Sequence, residues 1–132
     1  MKKLFVVLSI VIMACISCGK VEPNKAKALV QSLIQKIDSG KYAETSSYYT
    51  DEFNAGESLD VRTEKYEKLK EVFGDVVSME CILEKDSTDF TDRPIVELVY
   101  RIKHTKLTSL EVYTVVSQNG DLKVESQDIK QE

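Results

Sequence analysis

His104 is the only histidine in this chain of 132 residues, so acid–base chemistry near neutral pH would centre on it. It extends the alternating series Val96-Leu98-Tyr100-Ile102, which carries it towards the mouth of any cavity under that strand. General acid–base work also needs a partner to orient or exchange the proton. Tyr100 and Glu80 are the arguable companions. Glu80, however, alternates against Met79 and Cys81 and so points to the opposite face, so a solvated or packed ring is the plainer expectation. Metal chemistry lacks its spacing. A lone histidine and a lone Cys81 make no zinc pattern. Asp86, Asp89 and Asp92 stand three apart, without the alternate ligands and glycine turn of a calcium loop. There is no glycine-rich phosphate loop, nucleophile elbow or Cys–His pair. No catalytic residue, metal or cofactor is expected.

The stronger chemical signal is Cys18. Lys2-Lys3 is followed by Leu4 to Ile16, almost wholly apolar and broken only by Ser9. That run is short for a membrane span and suits the apolar region of a secretory signal. It ends in Ser17-Cys18-Gly19-Lys20, which resembles the lipobox of bacterial lipoproteins. Cleavage before Cys18, with a diacylglycerol on its thiol, would divide the chain into a signal peptide (1–17), a lipidated cysteine and tether (18–23) and one domain (24–132). Cys15 has a rival box in Ile12-Met13-Ala14. Cys18 is preferred because a polar, Gly-led stretch follows it. The expected location is the cell envelope, anchored to a membrane by lipid. Gly19, where an aspartate would signal inner-membrane retention, points to the outer membrane if the source has one.

The remaining 115 residues can bury a core without disulfides or metals. They carry 16 basic and 22 acidic residues, a net charge of −6. An acidic domain has no electrostatic reason to bind nucleic acid, and membrane attachment should come from lipid rather than from a basic patch. With Cys15 cleaved off and Cys18 acylated, Cys81 has no partner for a disulfide and is expected to be buried.

Three helices and four strands are expected. The first runs from Pro23 or Asn24 to Ser39, with Ala26, Leu29, Val30, Leu33, Ile34 and Ile37 as one stripe and Gly40 as its stop. A second covers Tyr42 to Thr50, with Tyr42, Ala43, Ser46 and Tyr49 on one face, and Asn54-Ala55-Gly56 breaks it. A third covers Leu59 to Phe73, with Tyr66, Leu69 and Phe73 inward, and Gly74 ends it. The period then changes to two. Val77, Met79, Cys81 and Leu83 share a face of Val76–Glu84, and Asp86–Arg93 is a polar loop. Val96 to Ile102 alternate after Pro94. Leu110, Val112, Thr114 and Val116 share a face of Leu110–Gln118, and Leu122–Ile129 is the last strand. Register favours a three-residue Gln118-Asn119-Gly120 turn pairing Val116 with Leu122 and Thr114 with Val124, over a two-residue turn pairing Gln118 with Asp121.

The segments Leu33-Ile34-Gln35-Lys36-Ile37-Asp38-Ser39-Gly40-Lys41-Tyr42-Ala43 and Ser47-Tyr48-Tyr49-Thr50-Asp51-Glu52-Phe53 join a helix, an Asp-x-Gly-Lys-Tyr turn and a small-residue helix closed by an aromatic. With Phe73-Gly74 before a strand and a final Gly hairpin, they resemble the nuclear-transport-factor-2-like (cystatin-like) superfamily over residues 24–129. Leu122 stands where such chains often carry tryptophan. The resemblance implies an α+β domain with N-terminal helices packed on a curved four-stranded antiparallel sheet, a cone with a concave apolar face. Its lining would be Tyr48, Tyr49, Phe53 and Tyr66 from the helices, with Met79, Cys81, Leu98, Tyr100, Ile102 and Val112 from the strands and His104 at the mouth. The expected role is non-catalytic binding of a small apolar ligand or an envelope protein. A pocket isomerase or dehydratase and an accessory subunit of a surface complex are the alternatives.

Overall fold

Proline at the first helical position and a 3.6-residue apolar stripe produce the first helix, α1 (Pro23–Asp38). Glu22, rather than Asn24, is its N-cap and makes no side-chain cap bond. The computed structural model describes residues 20–132; the signal segment, Cys15 and Cys18 lie outside them. Ala26, Val30, Leu33 and Ile34 are buried, with Leu29 and Ile37 packed beside them. Val21 is buried in the same core, so the fold begins two residues before the helix and takes in part of the segment 18–23 expected as a tether.

The second helix differs from expectation. Tyr42–Tyr48 is a 3₁₀ helix, and a separate α2 spans Asp51–Gly56. With three residues per turn, Tyr42, Thr45 and Tyr48 line up. Thr45 is therefore buried and Ala43 exposed. Asn54-Ala55-Gly56 belongs to α2 instead of breaking a helix, because Thr50 caps the segment by accepting from the Phe53 N–H at 3.2 Å. Thr50 N–H also donates to the Val124 carbonyl (3.0 Å), which ties this segment to the last strand.

Helix α3 (Leu59–Phe73) is capped by Ser58 and ends at Gly74. Gly74 has φ +86, and a Cβ there would sit 2.0 Å from Thr105 Oγ1, the atom that accepts the Asp75 N–H. Gly74→Ala is expected to cost about 1–3 kcal/mol, read as a lower urea midpoint with an unchanged slope.

Strands β1 (Val76–Thr88), β2 (Pro94–His104), β3 (Thr108–Gln118) and β4 (Asp121–Gln131) form one antiparallel sheet in sequence order. Its inner face packs on the helices, giving an α+β domain. Val96, Leu98, Tyr100 and Ile102 are fully buried there. Their β3 partners are Val115, Tyr113, Glu111 and Ser109, so the inward face of β3 is opposite to the expected one. Leu110, Val112 and Thr114 lie on the outer face. The two-residue Asn119-Gly120 turn follows from this. Once Val115 points inward, Val115 pairs with Val124 and Gln118 with Asp121, and the two turn residues take φ +54 and +84. Shifts at Val76/Ser78 and Cys81/Leu83 break the alternation of β1. They leave Val77 and Leu83 exposed while Met79 and Cys81 stay against the core. Cys81 is only half-buried, because β1 is an edge strand. β1 also continues three residues, to Thr88, into the expected polar loop.

Candidate functional site

A cleft of about 50 Å³ opens between the C-terminal ends of α1 and α3 and the inner sheet face. Its walls are apolar: Ile34 and Ile37 from α1, Leu69 and Phe73 from α3, Val76 and Ile129 from the sheet. Asp38 and Lys70 stand with them, and Tyr66, His104 and Glu111 complete the lining. The lining, apolar with a few converging polar groups, is of the kind ligand sites have, in a volume well below the roughly 300–1,000 Å³ of sites for drug-sized molecules.

Tyr66, His104 and Glu111 belong to one hydrogen-bonded chain. His104 Nδ1 stands 3.2 Å from the Gly74 carbonyl and Nε2 3.0 Å from Ser109 Oγ. Ser109 Oγ lies 2.9 Å from Glu111 Oε2, and Tyr113 donates to Glu111 Oε1 at 2.5 Å. Gln127 Nε2 donates to Tyr113 Oη (3.2 Å), and its Oε1 accepts from Tyr66 Oη at 2.8 Å. The Tyr49 hydroxyl bonds that of Tyr66.

The directions of these bonds count the protons. A carbonyl only accepts, so His104 Nδ1 carries hydrogen. If Ser109 donates to Glu111, Nε2 must donate to Ser109, and the pair is imidazolium and carboxylate. If Ser109 instead donates to Nε2, Glu111 must be protonated and donate to Ser109. Either way Ser109 joins His104 to Glu111 through two hydrogen bonds.

Burial pushes the Glu111 carboxyl up from its ordinary 4.5, against the opposing hydrogen bonds of Tyr113 and Ser109 and the nearby His104. Burial also raises Tyr66 to about 12, although its bonds to Tyr49 and Gln127 oppose this. Tyr113, buried beside Glu111, lies well above 10. A carboxyl raised in the folded state contributes stability below its unfolded value and loses it as pH rises through the folded value. Glu111 should therefore contribute a loss of stability as pH rises above 4.5. Glu111→Gln should flatten that slope, as read by urea midpoints at stepped pH; an identical slope in the variant would contradict it.

Of the expected lining, only Tyr66 and His104 reach this cleft. Leu98, Tyr100 and Ile102 are sealed in the core. Tyr49 is buried with Phe53 stacked on it at 4.1 Å. Tyr48 bonds Ser32 at 2.6 Å and lines a separate, shallow groove beside the β3–β4 turn. Met79 and Cys81 pack at the sheet edge, and Val112 pairs with Val99 on the outer face. Glu80 pairs with Arg101, away from His104, so the trio with Tyr100 does not converge. Ser109, Glu111, Tyr113 and Gln127 were missed. The signal for the first three was the other parity of β3, which alternates equally well but places a glutamate inward; Gln127 lies on β4. Among the described residues, no cluster of three His, Cys, Asp or Glu could hold a metal, and no helix is long and apolar enough to cross a membrane. No protein-family model matches the chain, and no curated protein matches it.

Proposed function

We propose that this chain is a lipid-anchored cell-envelope protein whose domain binds a small, mostly apolar ligand with one polar end. The observation that carries the binding role is the cleft itself: apolar walls over a floor where Ser109 links Glu111 to His104. The anchor reading is supported by the charged, apolar and Cys18 segments in succession. The order of helices before a four-stranded antiparallel sheet agrees with the nuclear-transport-factor-2-like plan. In that reading the sheet is the curved wall of the cone, and the cleft is its open end.

Native mass spectrometry of the full chain, extracted from membranes in detergent, tests the binding role. The expected result is a stoichiometric small-molecule adduct that Ile37→Trp, which fills the cleft from α1, removes. An adduct-free wild type, or an adduct that survives Ile37→Trp, contradicts it. The His104–Ser109–Glu111 hydrogen bonds favour a second reading, an acid–base enzyme. Chemical conversion of the adduct by the wild type but not by His104→Gln would select it.

A further inference from the structure

Phe90 is fully exposed. A single exposed apolar side chain needs no explanation by itself; the way this one is held, and where, gives it meaning. It sits in the connection between β1 and β2, which is tightly built. The Asp89 carboxylate accepts from Thr91 N–H (2.8 Å), Thr91 Oγ1 (2.6 Å), Arg93 N–H (3.0 Å) and Arg93 Nε (2.9 Å). Asp92 is held at φ +61, a left-handed conformation that favours glycine. Arg93 also pairs with Glu125 on β4. The ring is thus displayed in water on a braced tip.

Antiparallel pairing puts this tip and the Asn119-Gly120 turn at one end of the sheet. Helix α1 starts at the same end. Lys27 pairs with Glu84 on β1, and Lys25 and Leu29 share a groove with Gly120 and Lys123. Because Val21 is buried, only Gly19 and Lys20 separate it from Cys18, a reach of roughly 10 Å. From the Lys27–Glu84 pair, α1 rises ~6 Å to Pro23. β1 rises ~13 Å to Thr88 from the same point. The tip therefore stands beyond the start of α1 by about the reach of the tether.

We propose that Phe90 inserts into the interfacial layer of the membrane that holds the Cys18 lipid, making the β1–β2 tip a second membrane contact. This rests on the lipid-anchor reading above. The tether makes insertion an intramolecular event, so the weak affinity of a single ring suffices. Asp86, Asp89 and Asp92 outnumber Lys85 and Arg93 around the tip, so the surface it suits is zwitterionic phospholipid rather than an anionic one. Two contacts at one end fix the orientation of the domain. The cleft, at the other end of the 16-residue α1, then opens roughly 20 Å further from the bilayer.

The chain contains no tryptophan, so Phe90→Trp supplies a single reporter. Val72→Trp, at an exposed site near the cleft end of α3, is the control. Each full chain is purified with its native N-terminus and reconstituted into phosphatidylcholine vesicles, with and without brominated phosphatidylcholine. The expected result is blue-shifted emission, quenched by the brominated lipid, for Phe90→Trp only. Vesicle-bound Phe90→Trp with water-like, unquenched emission overturns the tip contact while leaving the anchor intact, and directs Phe90 to a protein partner. A chain that fails to float with vesicles, and whose N-terminal peptide has no lipid mass, overturns the anchor and the tip contact together.

Discussion

Truncating Arg62 to alanine is expected to remove about 3 kcal/mol of folding stability, the lower end of what stranding a buried ion pair costs. Arg62 is 1% exposed, and its guanidinium joins three helical segments. Nε donates to Glu57 Oε1 (3.0 Å), Nη2 to Asn54 Oδ1 (2.7 Å) and Nη1 to Ser46 Oγ (3.3 Å). Its plane lies over Tyr49 and Phe53, 4.5 and 5.4 Å from the ring centres. Burial alone would push the Glu57 carboxyl up, but the bonds from Lys65 and Arg62 hold it below its ordinary value. Lys65 still pairs with Glu57 at 2.8 Å in the variant, which is why the loss falls at the low end. Arg62→Lys keeps the charge but loses the planar fork and the stacking, so its loss should be intermediate. Urea unfolding of the three proteins checks the order. A loss below about 1 kcal/mol for Arg62→Ala would place the guanidinium in solvent.

The second large effect is on location. Cys18→Ser is expected to move the protein from the membrane fraction to the soluble fraction. A diacylglycerol supplies two chains, enough for stable anchoring, and one chain alone holds only marginally. In the proposed anchor Cys15→Ser should leave the fractionation unchanged, because residue 15 would leave with the signal peptide. Fractionation followed by immunoblotting reads both variants. Retention of Cys18→Ser with release of Cys15→Ser would move the anchor to Cys15.

The parts of the fold that were legible in the sequence are those where burial alone sets the pattern. The α1 stripe and the series Val96-Leu98-Tyr100-Ile102 pack against the core, so periodicity placed them correctly. β3 failed because both of its faces carry apolar side chains. Counting apolar residues favoured Leu110, Val112, Thr114 and Val116, while hydrogen bonds to each other, to Tyr113 and to His104 hold Ser109 and Glu111 inside. The turn register inherited that error. Arg62 escaped for the same reason: a charged residue is discounted from a helix stripe. Yet its spacing to Tyr66 and Phe73 is helical, and its partners Glu57 and Asn54 are local. The bulges of β1 leave no trace in a period-two pattern, because each one merely reverses it.

The most direct test of the account is the mass of the N-terminal tryptic peptide from membrane-purified protein. Cleavage after Lys20 should release Cys18-Gly19-Lys20 bearing a diacylglycerol on the thiol. A peptide that retains residues before Cys18, or one that begins at Cys18 with an unmodified thiol, would contradict the lipid anchor and the orientation built upon it.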